Sequence, residues 1–272
     1  MSKRDESIVN AVENSVIAFP YPAVYISGGI DSTVVLHHLC QKVPCNEIRT
    51  YTAKFDSPKD THLVAEEIAR YYGVKHTTID MTQFDYVSDL PHILRLFRNP
   101  QWNVWIWYLA RQAFMDGVKN VYLGEWGDEL FGYPDRSCLQ AYADQISRIT
   151  PMYHAVHADF WIKVHMPFSS LEPCLKSKVG YEPKAFQEWF SPNKGALREA
   201  YANVLPSRVM ELVTPCCAPA FTDYVNIGRI YLKKHFPNVK LDTADEVKEV
   251  LWRVCVNALF TRMHETPFSS RR

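Results

Sequence analysis

No run of about 18 apolar residues occurs anywhere in the chain, so nothing in it reads as a membrane span. No apolar stretch follows Met1–Glu6 either, which excludes a secretory signal at that point. An excess of either charge is also missing: 30 Lys and Arg balance 30 Asp and Glu. A neutral chain is not a general polyanion binder, so nucleic acid is not expected as a partner. The seven cysteines (Cys40, Cys45, Cys138, Cys174, Cys216, Cys217 and Cys255) are odd in number, irregularly spaced and free of any CxxC pair. That pattern suits the reducing cytoplasm rather than a disulfide framework. No His stands at zinc-ligand spacing from a cysteine pair. Internal repeats and low-complexity segments are absent as well.

What is present is a hydrophobic fraction of 47% over 272 residues. This is enough for one large α/β core, or for a core with a helical extension. Short apolar or alternating runs predict strands at Ala23–Ile26, Ile48–Phe55, Val74–Ile79 and Asn120–Leu123. Helical spacing predicts helices over Asp31–Val43, Thr61–Tyr72, Phe84–Phe97 and Val104–Met115, with Gly73 and Gly117 as stops. Strands alternating with helices make βαβ units and a mainly parallel sheet, whose ligands bind beyond the carboxyl ends of the strands. Two Gly-containing loops, after Ile26 and after Leu123, fall at that edge. After about Ser137 the pattern turns mostly helical, punctuated near Pro151, Pro167, Gly180 and Pro192.

The first loop is Ser27-Gly28-Gly29-Ile30-Asp31-Ser32. Glycines let backbone N–H groups approach phosphate oxygens, and the following helix start adds free donors and a positive dipole end. No Lys follows, so this is not the loop of nucleoside triphosphatases. Asp31 beside phosphate calls for a cation, and Mg2+ bridging the two resolves the repulsion. The second loop runs Gly124-Glu125-Trp126-Gly127-Asp128-Glu129-Leu130-Phe131-Gly132-Tyr133. Its acids taken alone would read as a solvated turn. Trp102, Trp105 and Trp107 read as a hydrophobic helix rather than a base-stacking platform, and Cys216-Cys217 as idle thiols rather than sulfur chemistry.

The first loop resembles the signature of the ATP pyrophosphatase (PP-loop) superfamily. The second resembles the GEGxDExFGGY segment of the asparagine synthetases and their β-lactam-forming relatives. Val164-His165-Met166-Pro167-Phe168 and Asn193-Lys194-Gly195-Ala196-Leu197-Arg198-Glu199-Ala200 are similar to two further segments of that family, the second being its K-x-x-L-R-x-A. The resemblance runs from about Ala23 to Arg208 and fades over the last stretch.

It implies an α/β, mainly parallel, five-stranded-like sheet flanked by helices, of the adenine-nucleotide α-hydrolase-like kind, with a helical C-terminal extension. It implies one such domain over 1–272, with a nucleotide-binding core over 23–136 and a mostly helical part over 137–272. By the same resemblance, Ile26, Ser27, Gly28, Gly29, Asp31, Ser32, Ala53, Leu123 and Gly124 hold ATP and its pyrophosphate. Asp31 and Asp128 hold Mg2+. Glu125 orients the amine and takes its proton, and Lys194 supplies positive charge at the phosphates or the oxyanion. The implied reaction is amide formation through an acyl-adenylate, with aspartate as the default acid and ammonia or an amine as the acceptor.

Four departures qualify this picture. No glutamine-hydrolysing domain precedes the first strand, so the nitrogen is expected from free ammonia, a substrate amine or a separate ammonia-supplying glutaminase. Trp126 stands where the family has a small Gly, which reshapes the acceptor pocket. Gly132 stands where the family has two glycines. Arg208–Cys217 lacks the Lys that the family carries there. Two other functions stay open at this point: a nucleic-acid base-modifying PP-loop enzyme, and a nucleotide-binding protein without catalysis.

Overall fold

The computed structural model describes residues 2–55, 61–97, 104–132, 149–171, 189, 191–212, 224–238, 243, 246, 247, 249–251 and 253. The expectations for Trp102, Tyr133 and Cys216-Cys217 lie outside these residues.

Five strands form one all-parallel sheet in the order β3-β2-β1-β4-β5. They are β1 (Pro22–Tyr25), β2 (Arg49–Lys54), β3 (Lys75–Asp80), β4 (Asn120–Tyr122) and β5 (Lys163–His165). β1 is central and buried throughout, because helices cover both faces of a parallel sheet and its residues find no water. β3, at an edge, is polar in sequence and mostly part-exposed, as an edge must be to resist pairing with another chain. The register sets Tyr25 beside Tyr51, and Val24 beside Tyr122.

The chain runs outward from β1 to β2 and β3, then crosses back to build β4 and β5 on the other side. β1 and β4 are therefore the neighbours between which the winding reverses, and a crevice opens beyond their carboxyl ends. Beyond the strands, Ile26 N–H still donates to Tyr51 O at 2.9 Å and Leu123 N–H to His165 O at 2.9 Å.

α1 is Lys3–Ser15, α2 Ile30–Lys42, α3 Thr61–Tyr72, α4 Tyr86–Phe97, α5 Ile106–Met115 and α6 Gly127–Phe131. α7 is Thr150–Ala158, α8 Gly195–Tyr201, α9 Ser207–Glu211 and α10 Tyr224–His235. The four sequence-predicted helices correspond to α2 through α5, with starts displaced by one or two residues where loops precede them. α1 and β5 were not anticipated. α1 starts on a capping box in which Ser2 and Asp5 bond each other's backbone, and it buries Ile8 and Val12 against α8. β5 places a strand inside the stretch read as helical; at three residues it is too short to show alternation.

The core joins Ala23, Val24 and Ile26 with Val34, Val35 and Leu36 of α2 and with Leu109 and Ala113 of α5. Each such large aliphatic side chain contributes about 1.5–3 kcal/mol by leaving water. No helix among the described residues is long and apolar enough to cross a membrane.

Candidate functional site

Ser27–Ser32 spans the junction of β1 with the first turn of α2, and 123–126 links β4 to α6. The two loops touch backbone to backbone. A Cβ on Gly124 would stand 2.5 Å from Ser32 N and 2.8 Å from Asp31 C, so only glycine permits the approach. Gly28 has φ +83, and a Cβ there would meet Thr61 O at 2.9 Å. α2 begins at Gly29 with no side chain capping it, which leaves its first N–H groups aimed along the loop.

α6 is a single turn that carries Asp128 and Glu129. It is entered through Trp126, whose φ of 76 and ψ of −5 are left-handed. A side chain in that conformation costs about 1–2 kcal/mol relative to glycine. The indole is nonetheless buried, 3% exposed, and its Nε1–H donates to Thr150 Oγ1 at 3.0 Å.

The third contributor comes from far along the chain. Lys194 is 1% exposed and forms ion pairs with both Asp31 Oδ2 and Asp128 Oδ1, the latter at 2.6 Å. Burial works against its charge, but the two carboxylates outweigh burial and hold the ammonium above its ordinary range. Burial pushes the Asp31 carboxyl up and Asp128 adds to that, while Lys194 pulls it back. Asn193 and Lys194 both have positive φ, 54 and 59. Their loop is held by Lys194 N–H to Ser191 O at 3.1 Å and by Arg198 Nε–H to Asn193 O at 2.9 Å. Arg198 also donates to the carbonyls of Val209, Met210 and Leu212, tying the loop to the end of α9. In the Lys-x-x-Leu-Arg pattern, Lys194 thus supplies charge, Leu197 is buried in the core, and Arg198 clamps.

A cavity of about 290 Å³ lies over this junction. Ile26, Ser27, Gly29, Asp31, Ser32, Ala53, Leu123, Gly124, Glu125 and Asp128 all line it. Gly28 and Lys194 are not in its wall: Gly28 shapes the turn, and Lys194 reaches the site through its two carboxylates. The remaining wall is largely aromatic, with Tyr25, Tyr51, Phe55, Trp105, Trp126 and Tyr153. Trp105, anticipated only as a helix residue, stands in that wall.

Sequence reasoning passed over three groups here. Tyr153 donates to Glu125 Oε1 at 2.7 Å. Burial, with Glu125 adding to it, pushes its hydroxyl well above the ordinary range, so it stays a donor. Glu129, 8% exposed, is pushed up to about 8 by burial and by the charge of Glu125. Its carboxyl is therefore mostly protonated at neutral pH. His157 is fully buried and, through burial, lowered to about 4. Its Nδ1 faces the Tyr153 carbonyl at 2.8 Å and must carry the hydrogen, so Nε2 accepts from Tyr25 O–H at 3.0 Å. None of the three had a sequence signal beyond residue type, save that Glu129 sits in the acidic motif.

Among the described residues, no group of three or more His, Cys, Asp or Glu is placed to hold a metal ion by itself. Two carboxylates do converge, and Asp31 Oδ1 is buried without a hydrogen-bond partner. Two carboxylates completed by phosphate oxygens and water is how Mg2+ is commonly bound, so the residues fit. Asp31 and Asp128 would hold the ion, which would supply positive charge to a pyrophosphate leaving group.

A family model described as asparagine synthase matches residues 3–189. Lys194 lies beyond that span, and its place at the site rests on the ion pairs. No curated protein matches the chain. Among solved structures, the U34-tRNA thiolase NcsA from Methanococcus maripaludis is similar at 14% identity and a TM-score of 0.46, over 94% of this chain and 80% of that one. NMN synthetase from Francisella tularensis is similar at 13% identity and a TM-score of 0.38, over 99% of this chain and 97% of that one.

Proposed function

The chain belongs to the asparagine synthase family of ATP-using PP-loop enzymes, and from that premise we propose that it is a carbon–nitrogen ligase that cleaves ATP to AMP and pyrophosphate. A carboxylate oxygen of the acid attacks the α-phosphorus, and pyrophosphate leaves along Ser27–Ser32. Ammonia or an amine then attacks the acyl carbon and AMP leaves, with Glu125 accepting the proton. Most of the acceleration comes from holding both reactants in one cavity beside fixed charge.

One observation supports this reading above others. Asp31, Asp128 and Lys194 come from three separate segments and converge at the mouth of the phosphate loop. A protein that only needed to fold would not bury a lysine between two acids there, since an apolar trio packs with less desolvation. The cavity wall carries Asp31, Glu125, Asp128 and Glu129 and no Lys or Arg among the described residues, which favours a small substrate over a nucleic-acid backbone. A cytoplasmic location and Mg2+ dependence go with the same reading, as does a separate source of ammonia where no amine is used.

The test is ATP–pyrophosphate exchange with Mg2+ across a panel of carboxylic acids led by aspartate, with Asp31→Ala as the control. Exchange that requires one acid and vanishes in the variant supports adenylation and names the acid. ATP binding without exchange for any acid sinks the ligase reading.

A further inference from the structure

We propose that Lys194 is a placeholder for the divalent cation: it holds the Asp31–Asp128 pair closed in the metal-free protein and is driven off when the ion enters. This rests on the reading of those two carboxylates as the metal pair.

The charges make the case. Two carboxylates share a single ammonium, so one negative charge is left uncompensated. Within the pair, Asp31 Oδ1 is buried and without a hydrogen-bond partner. A divalent ion matches the pair in full. It would also have to sit where the ammonium now sits, because Lys194 Nζ bridges the same two carboxylates. Two cations cannot share so small a buried site without repulsion, so metal entry is an exchange rather than an addition.

The backbone around Lys194 decides what moves. Ser191 O holds the Lys194 N–H, and Arg198 holds the Asn193 carbonyl while bonding three carbonyls at the end of α9. The loop is anchored at both ends. Release is therefore a swing of the four-carbon side chain, which has the rotatable bonds for it. The freed ammonium remains next to the phosphate loop, where triphosphate oxygens offer its next partners. Positive charge from lysine thus reaches the phosphates only after the metal is aboard, which imposes an order of assembly.

Two sets of measurements without nucleotide test this, one on variants and one on the wild type. The first is Mn2+ binding by calorimetry to the wild type and to Lys194→Met, with Asp31→Asn and Asp128→Asn as controls. Removing the competitor should tighten Mn2+ binding by about tenfold or more, because the ion no longer has to displace a bound cation. Lys194→Met should also melt at a lower temperature than wild type in chelator and regain most of the loss in Mn2+. The second uses the wild type alone, which guards against a variant that does not fold. Acylation of Lys194 by an amine-reactive ester, read by mass spectrometry, should be slow in chelator and several-fold faster in Mn2+. Unchanged or weaker Mn2+ binding in Lys194→Met, or acylation indifferent to Mn2+, overturns the proposal while leaving the metal pair in place. Mn2+ affinity that neither Asn variant alters would overturn the metal pair itself, and this inference with it.

Discussion

The Tyr153 hydroxyl, carried by α7, bonds the Glu125 carboxylate that follows β4, with 2.7 Å between the two oxygens. The bond aims a carboxylate at the cavity from a loop that has no helix of its own to fix it. Tyr153→Phe keeps the ring and removes the bond. The rate of amide formation should fall about tenfold, the scale of one hydrogen bond to a charged group. ATP–pyrophosphate exchange should stay within about twofold, since that half-reaction precedes proton removal from the amine. Equal losses in both assays would instead make Tyr153 a structural support.

The left-handed backbone at Trp126 gives a test of conformation by stability. Both Trp126→Gly and Trp126→Ala lose a buried indole, at roughly 3–5 kcal/mol. In most helical positions Ala is the more stable of the two. Here Gly should exceed Ala by about 1 kcal/mol in urea unfolding, because only glycine adopts this φ without strain. The usual order would mean that the loop does not hold φ 76 in solution.

Glu129 makes a pH signature. Its folded value near 8 lies above the unfolded value near 4.5. Between these the unfolded chain releases a proton that the folded protein keeps, so stability falls as pH rises from about 4.5 to about 8. Glu129→Gln removes that slope. The variant should match wild type near pH 4.5 and exceed it by a few kcal/mol at pH 8.5, measured by urea unfolding at both. His157 bends the curve the other way: a buried neutral imidazole lowered to about 4 loses stability as pH falls from about 6.5. Comparing variant with wild type cancels that background.

Arg198→Met should loosen the Lys194 loop. Four carbonyl bonds go at once, partly replaced by water, for an expected cost of about 2–3 kcal/mol. Limited proteolysis should then cut within 191–212 sooner than in wild type, and pyrophosphate exchange should drop with it. Faster cutting without a change in exchange would separate the clamp from the site.

Much of the sheet was legible because β1 is a short apolar run before a glycine pair, β2 alternates and is rich in Thr and Tyr, and β4 runs straight into Leu123 and Gly124. β5 was not, since only Val164 of its three residues is buried and the flanking Lys163 and His165 look like loop. α1 carried a readable capping box at Ser2 and Asp5, hidden behind a polar surface. The site divides in the same way. Asp31, Glu125 and Asp128 could be found because their loops pack the needed residues side by side. Tyr153 could not, being one of 15 tyrosines on a helix with no motif of its own. Lys194 emerged only through its spacing to Leu197 and Arg198, and nothing in the sequence indicated which acids it would meet.

The pairing of β1 with β4 brings together strands that lie far apart in the chain, with β2, β3 and four helices between them. Contacts of such long sequence separation form late, because the loop must close before they return any stabilisation. The helix start after Gly29 and the loop that carries Asp128 should therefore come together only near the end of refolding. Nucleotide should leave the early steps untouched and slow unfolding instead, acting as a latch on the last pairing made.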